Sequence, residues 1–449
     1  MTNEQVFSLV EAHSAQILEA ERELWRHPET GYREWYAHRY LAERFEALGY
    51  TLTCAGNIPG FCADLDTGRP GPKLLILGEL DSLLCATHPE ANPETGAVHA
   101  CGHHAQGAAL LGLAAALKEP GALDGLSGSI RLCAVPAEEL IETAYREELR
   151  RQGVIRYFGG KVEFLARGLF DGVDLAFMLH AAGPAGTFGY VRGCNGCVTK
   201  NITFEGVAAH AGGSPENGVN ALYAANLAFS AANALRETFR DNEHIRFHPI
   251  VTAGGVAVNA IPDTVKLESY VRGATIDAIR RENRKINRAL AASAAAMGAN
   301  VLLCDRPGYT PLENDPTLLS VAHRAMAAVV GEKNVWQDAW STGCTDMGDL
   351  SAVMPAIHPY VGGVSGTSHG ADYRISDPVS ACVNSAKCQL LLTRMLLEND
   401  AAEARRVVSE AKPRFATKEA YFEMMDSLTL DKHAVITNVD GTVTLDFAN

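Results

Sequence analysis

Apolar residues at helical spacing open the chain. Val6, Leu9, Val10, Ile17, Leu18 and Leu24 form one stripe ending near His27 and Pro28, and a second helix is predicted from about Trp35 to Leu48. Both read as packing helices. Beyond them the apolar runs shorten: Leu74–Leu77, Ile130–Val135 and Leu175–Leu179, separated by Gly and Pro, with an Ala/Leu-rich helix Gln106–Lys118 between the first two. Strand, helix and strand in that order predict a largely parallel α/β sheet. Each run ends in polar, ligand-type residues: Glu79 and Asp81, Glu138 and Glu139, His180. In open α/β sheets ligands gather beyond the carboxyl ends of strands, so these endings could converge.

A second unit begins after the turn Gly193-Cys194-Asn195-Gly196. Residues Val198–Phe204 alternate as a strand, Val219–Leu235 is helical, Ile245–Val251 and Val265–Val271 are strands, and the helix Ile276–Met297 precedes Val301–Cys304. That β-α-β-β-α-β order predicts an inserted α+β domain, 196–305, inside a discontinuous domain formed by 1–195 and 306–449. The first pattern then resumes with a helix Leu318–Val330, an extended Ala356–Val361 and a helix Pro378–Leu397. The charged tail ends in Ala434–Phe447, with a hairpin turn at Val439–Thr442. Neither an internal repeat nor a low-complexity tract interrupts this order.

Composition narrows the class. The 449 residues, 47% of them hydrophobic, suffice for two or three domains with a large core. No apolar run approaches the roughly 20 residues of a membrane span, and the amino terminus lacks signal-peptide character. Eleven cysteines, an odd number, are scattered through a chain far larger than disulfide-stapled scaffolds, so a reducing, cytoplasmic setting is expected. A net charge of −14 argues against nucleic acid, and any cation that binds a substrate carboxylate must be local.

The densest chemistry lies at His99-Ala100-Cys101-Gly102-His103-His104, three imidazoles and a thiol on a turn. Cys101 and His103 stand two apart, which lets both face one ion while Gly102 permits the curvature. A His-rich surface turn is the plainer alternative. Glu138 and Glu139 close a strand, where neighbouring side chains point opposite ways. One carboxylate could then coordinate metal while the other carries protons, or the two could form a solvated acidic pair. His180 alone reads as core, and His369 is a loop histidine between glycines.

Six motifs then occur in one order: His99-Ala100-Cys101-Gly102-His103, Pro136-Ala137-Glu138-Glu139, Met178-Leu179-His180, Ala208-Ala209-His210-Ala211-Gly212, Asn259-Ala260-Ile261-Pro262-Asp263 and Gly366-Thr367-Ser368-His369-Gly370. Over about residues 5–398 the chain resembles the co-catalytic metallopeptidase superfamily of aminoacylases, indole-acetyl-amino-acid hydrolases and aminobenzoyl-glutamate hydrolase. Gly78-Glu79-Leu80-Asp81 and the histidine cluster look closest to the last of these and to related dipeptidases. The resemblance implies an aminopeptidase-like catalytic domain with an inserted lid and dimerisation domain. It makes Cys101, His103, Glu139, His180 and His369 the ligands of two divalent ions, Mn²⁺, Zn²⁺ or Co²⁺, with Glu138 as general base on a metal-bridged water. Asp81 would orient a ligand histidine. His210 would reach the active site of a partner protomer in a homodimer or higher oligomer, and Asn259 and Arg272 would hold substrate polar groups and the terminal carboxylate.

Some features depart from that pattern. His104 stands where many relatives have Asp or Asn and could orient a ligand, serve as one, or line the rim. Cys194 and Cys197 have redox-motif spacing without a redox context. Ser341–Asp349 matches a substrate-side loop, and Glu147–Arg167 is an insertion that could shape the pocket. The expected activity is hydrolysis of the amide bond of a small N-acyl amino acid, such as an aroyl-glutamate. A dipeptidase is the alternative within enzymes. A metal-binding protein without catalysis is the alternative outside them, and Glu138 speaks against it.

Overall fold

The computed structural model describes residues 1–447, so the last two residues of the expected 306–449 segment lie outside the described residues. The apolar runs form the first sheet. Its strands lie in the order Leu52–Cys54, Phe61–Asp66, Ser129–Val135, Lys73–Glu79, Leu175–Phe177, Ala356–Ile357. The last four run parallel, and the first two join antiparallel at one edge. Alternate residues enter different cores: Leu74, Ile76, Leu132 and Phe177 pack with the helices His103–Leu117 and Ser385–Glu410, whereas Leu75, Leu77, Cys133 and Met178 pack with Phe164 and Leu350. Burial on both faces is why these strands read as unbroken apolar runs. The helix His103–Leu117 is buried along its whole length, which accounts for its Ala, Gly and Leu content.

The second sheet is antiparallel. It runs Arg246–Phe247, Thr264–Gly273, Gly196–Glu205, Asn300–Pro307, Leu430–Thr437, Val443–Leu445, with Ile250–Ala253 also on Thr264–Gly273. The helices Ala221–Ala234 and Ile276–Ala296 pack on it, in the predicted β-α-β-β-α-β order. The tail adds to this sheet: Leu430–Thr437 pairs with Asn300–Pro307 and returns through the Val439–Thr442 turn, where Gly441 has φ 82°. The architecture is therefore α/β, a mostly parallel catalytic sheet with a lid.

Two helical boundaries differ from expectation. The opening stripe is carried by two helices, Asn3–Glu11 and Ser14–Arg26, which between them bury Val6, Val10, Ile17 and Leu24. The helix expected to end at Leu397 continues to Glu410 past left-handed residues at Asn399–Ala401, because Ala404 and Val407 remain buried beyond that break. Among the described residues no helix is long and apolar enough to cross a membrane.

Candidate metal centre

The strand ends converge as the topology requires. Glu79 closes its strand with Asp81 two residues on, and Glu138 and Glu139 follow Val135 on the neighbouring strand. Gly102 precedes the helix at φ 95°, where a β-carbon would lie 2.4 Å from the Tyr373 hydroxyl. Only glycine fits there, and it sets Cys101 and His103 on either side of a tight turn. Ala137 (φ 58°) and His369 (φ 64°) adopt the left-handed conformation despite carrying side chains. Each is held by its surroundings: the Ala137 N–H donates to Glu34 Oε1 at 2.7 Å, and the His369 N–H to the Ala100 carbonyl at 2.9 Å. Strain of this kind, of order 1–3 kcal/mol per residue, persists where surrounding structure over-determines it, and both instances flank this one site.

Donor atoms of Cys101, His103 and His180 lie within 4.8 Å of one another, as do those of Cys101, Glu139 and His369. Cys101 belongs to both groups, with its Sγ 3.3 Å from His180 Nε2. His103 Nδ1 meets the Asp81 carbonyl at 3.0 Å and Asp81 Oδ1 at 3.1 Å, which turns Nε2 into the site. Asp81 Oδ2 accepts the Glu139 N–H at 2.8 Å, so one carboxylate orients two of the clustered residues. Glu138 forms a third group with Glu79 and His103.

Charge in the cluster is unbalanced. Burial pushes the Cys101 thiol up, but His103 and His180 outweigh it and bring it down to about 6. Glu139, raised by burial, is brought down to about 2 chiefly by His369. Burial, with Glu79 and Glu139 beside it, pushes the Glu138 carboxyl well above the ordinary range. His103 Nε2 and Glu139 Oε1 are buried, each facing an oppositely charged group at 3.2 Å, Glu79 Oε2 and His369 Nε2, without hydrogen-bond geometry. A shared thiolate, three imidazoles and a carboxylate, with their donor atoms gathered within 4.8 Å in two groups, fit divalent cations.

Cys101, Glu138, Glu139, His180, His369 and Arg272 line one cavity of about 260 Å³, with His103 and Asp81 behind it. Arg272 comes from the lid strand, lies over Tyr270 at 5.1 Å, and sits opposite Cys197 in the sheet. Two expected residues are elsewhere in this chain. His210 is exposed on the lid, its Nδ1 accepting from the Gly213 N–H at 2.8 Å, and Asn259 is exposed beside it. His104 turns away from the cluster, 3.2 Å from Glu21 and edge-on to Trp25. His99 packs 5.1 Å from the His104 ring. Cys194 and Cys197 are free thiols in the cavity wall, which they share with Cys344 of the expected substrate-side loop, whose Sγ donates to the Gly196 carbonyl at 3.6 Å.

Sequence reasoning missed two features. Lys161, in the insertion, is wholly buried and bonds Glu79 and Asp346 behind the cluster. His358, within the extended run Ala356–Val361, lines the cavity. Neither carries a spacing signal.

Comparison with known proteins places the chain in a family. Peptidase family M20/M25/M40 matches residues 75–394. The chain is 28% identical over 305 residues to one of the subunits of p-aminobenzoyl-glutamate hydrolase of Escherichia coli (strain K12), covering 66% of this chain and 58% of that protein. It is 29% identical over 356 residues to the Xaa-Arg dipeptidase of Mus musculus, covering 76% and 74%. In fold it is similar to a dinuclear metal-binding M20 peptidase from Bacillus subtilis, at TM-score 0.62 and 21% identity over 85% of this chain and 98% of that one. With that match running through both halves of the cluster, the chain belongs to Peptidase family M20/M25/M40, a class of metal-dependent amidohydrolases and peptidases.

Proposed function

We propose that this protein hydrolyses the amide bond of a small N-acyl amino acid of the aroyl-glutamate type. One observation carries the reading. Among the described residues, the cavity that gathers the ligand-type side chains contains Arg272 as its one Arg or Lys, and its only carboxylates are Glu138 and Glu139. Arg272 suits a substrate carboxylate, whereas a dipeptide needs a further acid for its free α-amine, and this lining offers none. Cys101, His103, Glu139, His180 and His369 would hold two divalent ions, of which Mn²⁺, Zn²⁺ and Co²⁺ suit the donor set. Bound there, the ions supply an acidified water and charge stabilisation. Glu138 is then the free carboxylate that takes a proton from the water and returns it to the leaving amine. A metal-holding scaffold without catalysis has no use for such a residue. The free thiols suit the cytoplasm.

The test is a panel of 4-aminobenzoyl-L-glutamate, N-acetyl amino acids and free-amine dipeptides, run with each metal and with chelator. N-acylated substrates are expected to be turned over, and chelation to stop turnover. Full activity after metal removal, or turnover confined to free-amine dipeptides, would overturn the reading.

A second copy of the chain completes the proposal. Around His210 the lid exposes Val207, Tyr223, Ile250, Val251, Val256 and Val258, a run of apolar side chains that suits burial against another lid. His210 would enter the partner's cavity, where Asn259 could join it on substrate. Co-expressing His210→Ala and Glu138→Gln chains is expected to restore about one quarter of wild-type activity, since half of a statistical dimer population carries one complete site of two. No recovery in isolated mixed dimers would remove His210 from that role.

A further inference from the structure

His358 follows the short strand Ala356–Ile357, and its backbone N–H donates to Asn314 Oδ1 at 2.8 Å. The backbone is thus fixed while the side chain faces the cavity. The ring is only 4% exposed and stands edge-on to His180, centroids 5.6 Å apart at 80°. Neither of its nitrogens has a hydrogen-bonding partner among the described residues. The other two cavity histidines do have contacts: His180 Nε2 with Cys101 and His369 Nε2 with Glu139. A buried imidazole with both nitrogens unmatched is costly unless something else enters the site to meet them.

In either protonation state an imidazole carries at least one N–H, so His358 is a donor for whatever oxygen occupies this end of the cavity. Arg272 approaches from the lid strand Thr264–Gly273, and His358 from the end of the parallel sheet. On the amidohydrolase reading, a substrate's terminal carboxylate would meet Arg272, and its acyl carbonyl would fall to the end of the cavity where His358 stands against His180. His358 is not part of either ligand-type group around Cys101.

We propose that His358 is a further catalytic residue, donating a hydrogen bond from the same chain as Glu138 to the acyl carbonyl oxygen as negative charge builds on it. This rests on the amidohydrolase reading and adds to it a donor independent of His210. Removing one such donor typically lowers kcat by about 10²–10³-fold.

Wild-type protein is first assayed on 4-aminobenzoyl-L-glutamate and N-acetyl amino acids. No turnover there counts against the amidohydrolase reading itself, before His358 is touched. H358F and H358N are then compared for kcat, KM, metal content and affinity for a phosphinic-acid analogue of the best substrate, in which a tetrahedral phosphorus replaces the scissile carbonyl. H358F is expected to lose about 10²–10³-fold in kcat and a similar factor in analogue affinity, with KM, metal content and L-glutamate affinity held. H358N, which keeps an N–H donor, is expected to recover part of both losses, and it serves as the test by itself should the Phe variant not fold. Unchanged kcat, a loss confined to KM, or loss of metal would each overturn the assignment.

Discussion

Replacing Glu138 by Gln is expected to lower kcat on an N-acyl amino acid by about 10²–10⁴-fold while the protein keeps its full complement of metal. The substitution preserves side-chain shape and removes only the capacity to accept a proton. Its backbone surroundings stay intact, because Tyr309 donates to the Glu138 carbonyl and Glu139 keeps its N–H bond to Asp81. Among the described residues, the Glu138 carboxylate is not part of either ligand-type group that contains Cys101; it groups with Glu79 and His103. Turnover and metal binding should therefore separate in this variant. Metal per chain, measured beside kcat, decides the matter. Metal loss in parallel with activity would make Glu138 a ligand, and unchanged turnover would leave the reaction without its proposed base.

The strand ends are legible in the sequence because two constraints overlap in them. Apolar runs buried on both faces give the parallel sheet away, and whatever polar residue follows such a run must stand at its carboxyl edge. Glu79, Asp81, Glu138, Glu139 and His180 stand out on that ground without any geometry. The Cys101 and His103 pair is legible through Gly102, whose conformation admits no side chain. The tail is harder to read. Its strand Leu430–Thr437 lies toward the sheet edge with only Ala434 and Val435 buried, so Asp431, Lys432 and His433 give it the look of a solvated segment. His358 is hidden inside an extended run, where a single histidine reads as one more strand position. Its significance comes from the lack of a hydrogen-bonding partner among the described residues, a property of the folded chain alone.

Lys161 is the hardest residue to foresee, and the second large effect is expected there. An isolated lysine in an insertion reads as surface, yet its partners arrive from 82 and 185 residues away. Gly160, just before it, packs so tightly that a β-carbon would lie 1.6 Å from the Pro136 carbonyl. The close approach carries Lys161 beneath the cluster, where Nζ bonds Glu79 and lies 2.5 Å from Asp346 Oδ1, and its own N–H reaches Asp346 Oδ2 at 2.9 Å. Glu79 in turn accepts from Gln106 at 2.8 Å and lies 3.2 Å from His103 Nε2. Lys161→Met keeps the apolar stem but strands two buried carboxylates, and such a break typically costs about 3–5 kcal/mol. The expected result is a marked fall in the thermal unfolding midpoint, with weakened metal binding through His103. Neutralising the partners in Lys161→Met/Glu79→Gln/Asp346→Asn should recover a substantial part of the midpoint, because the penalty lies in unmatched charge rather than in lost packing. A Lys161→Met protein as stable as wild type would show that the two carboxylates accept protons at little cost. An equally unstable triple variant would move the origin of the effect to packing around Gly160.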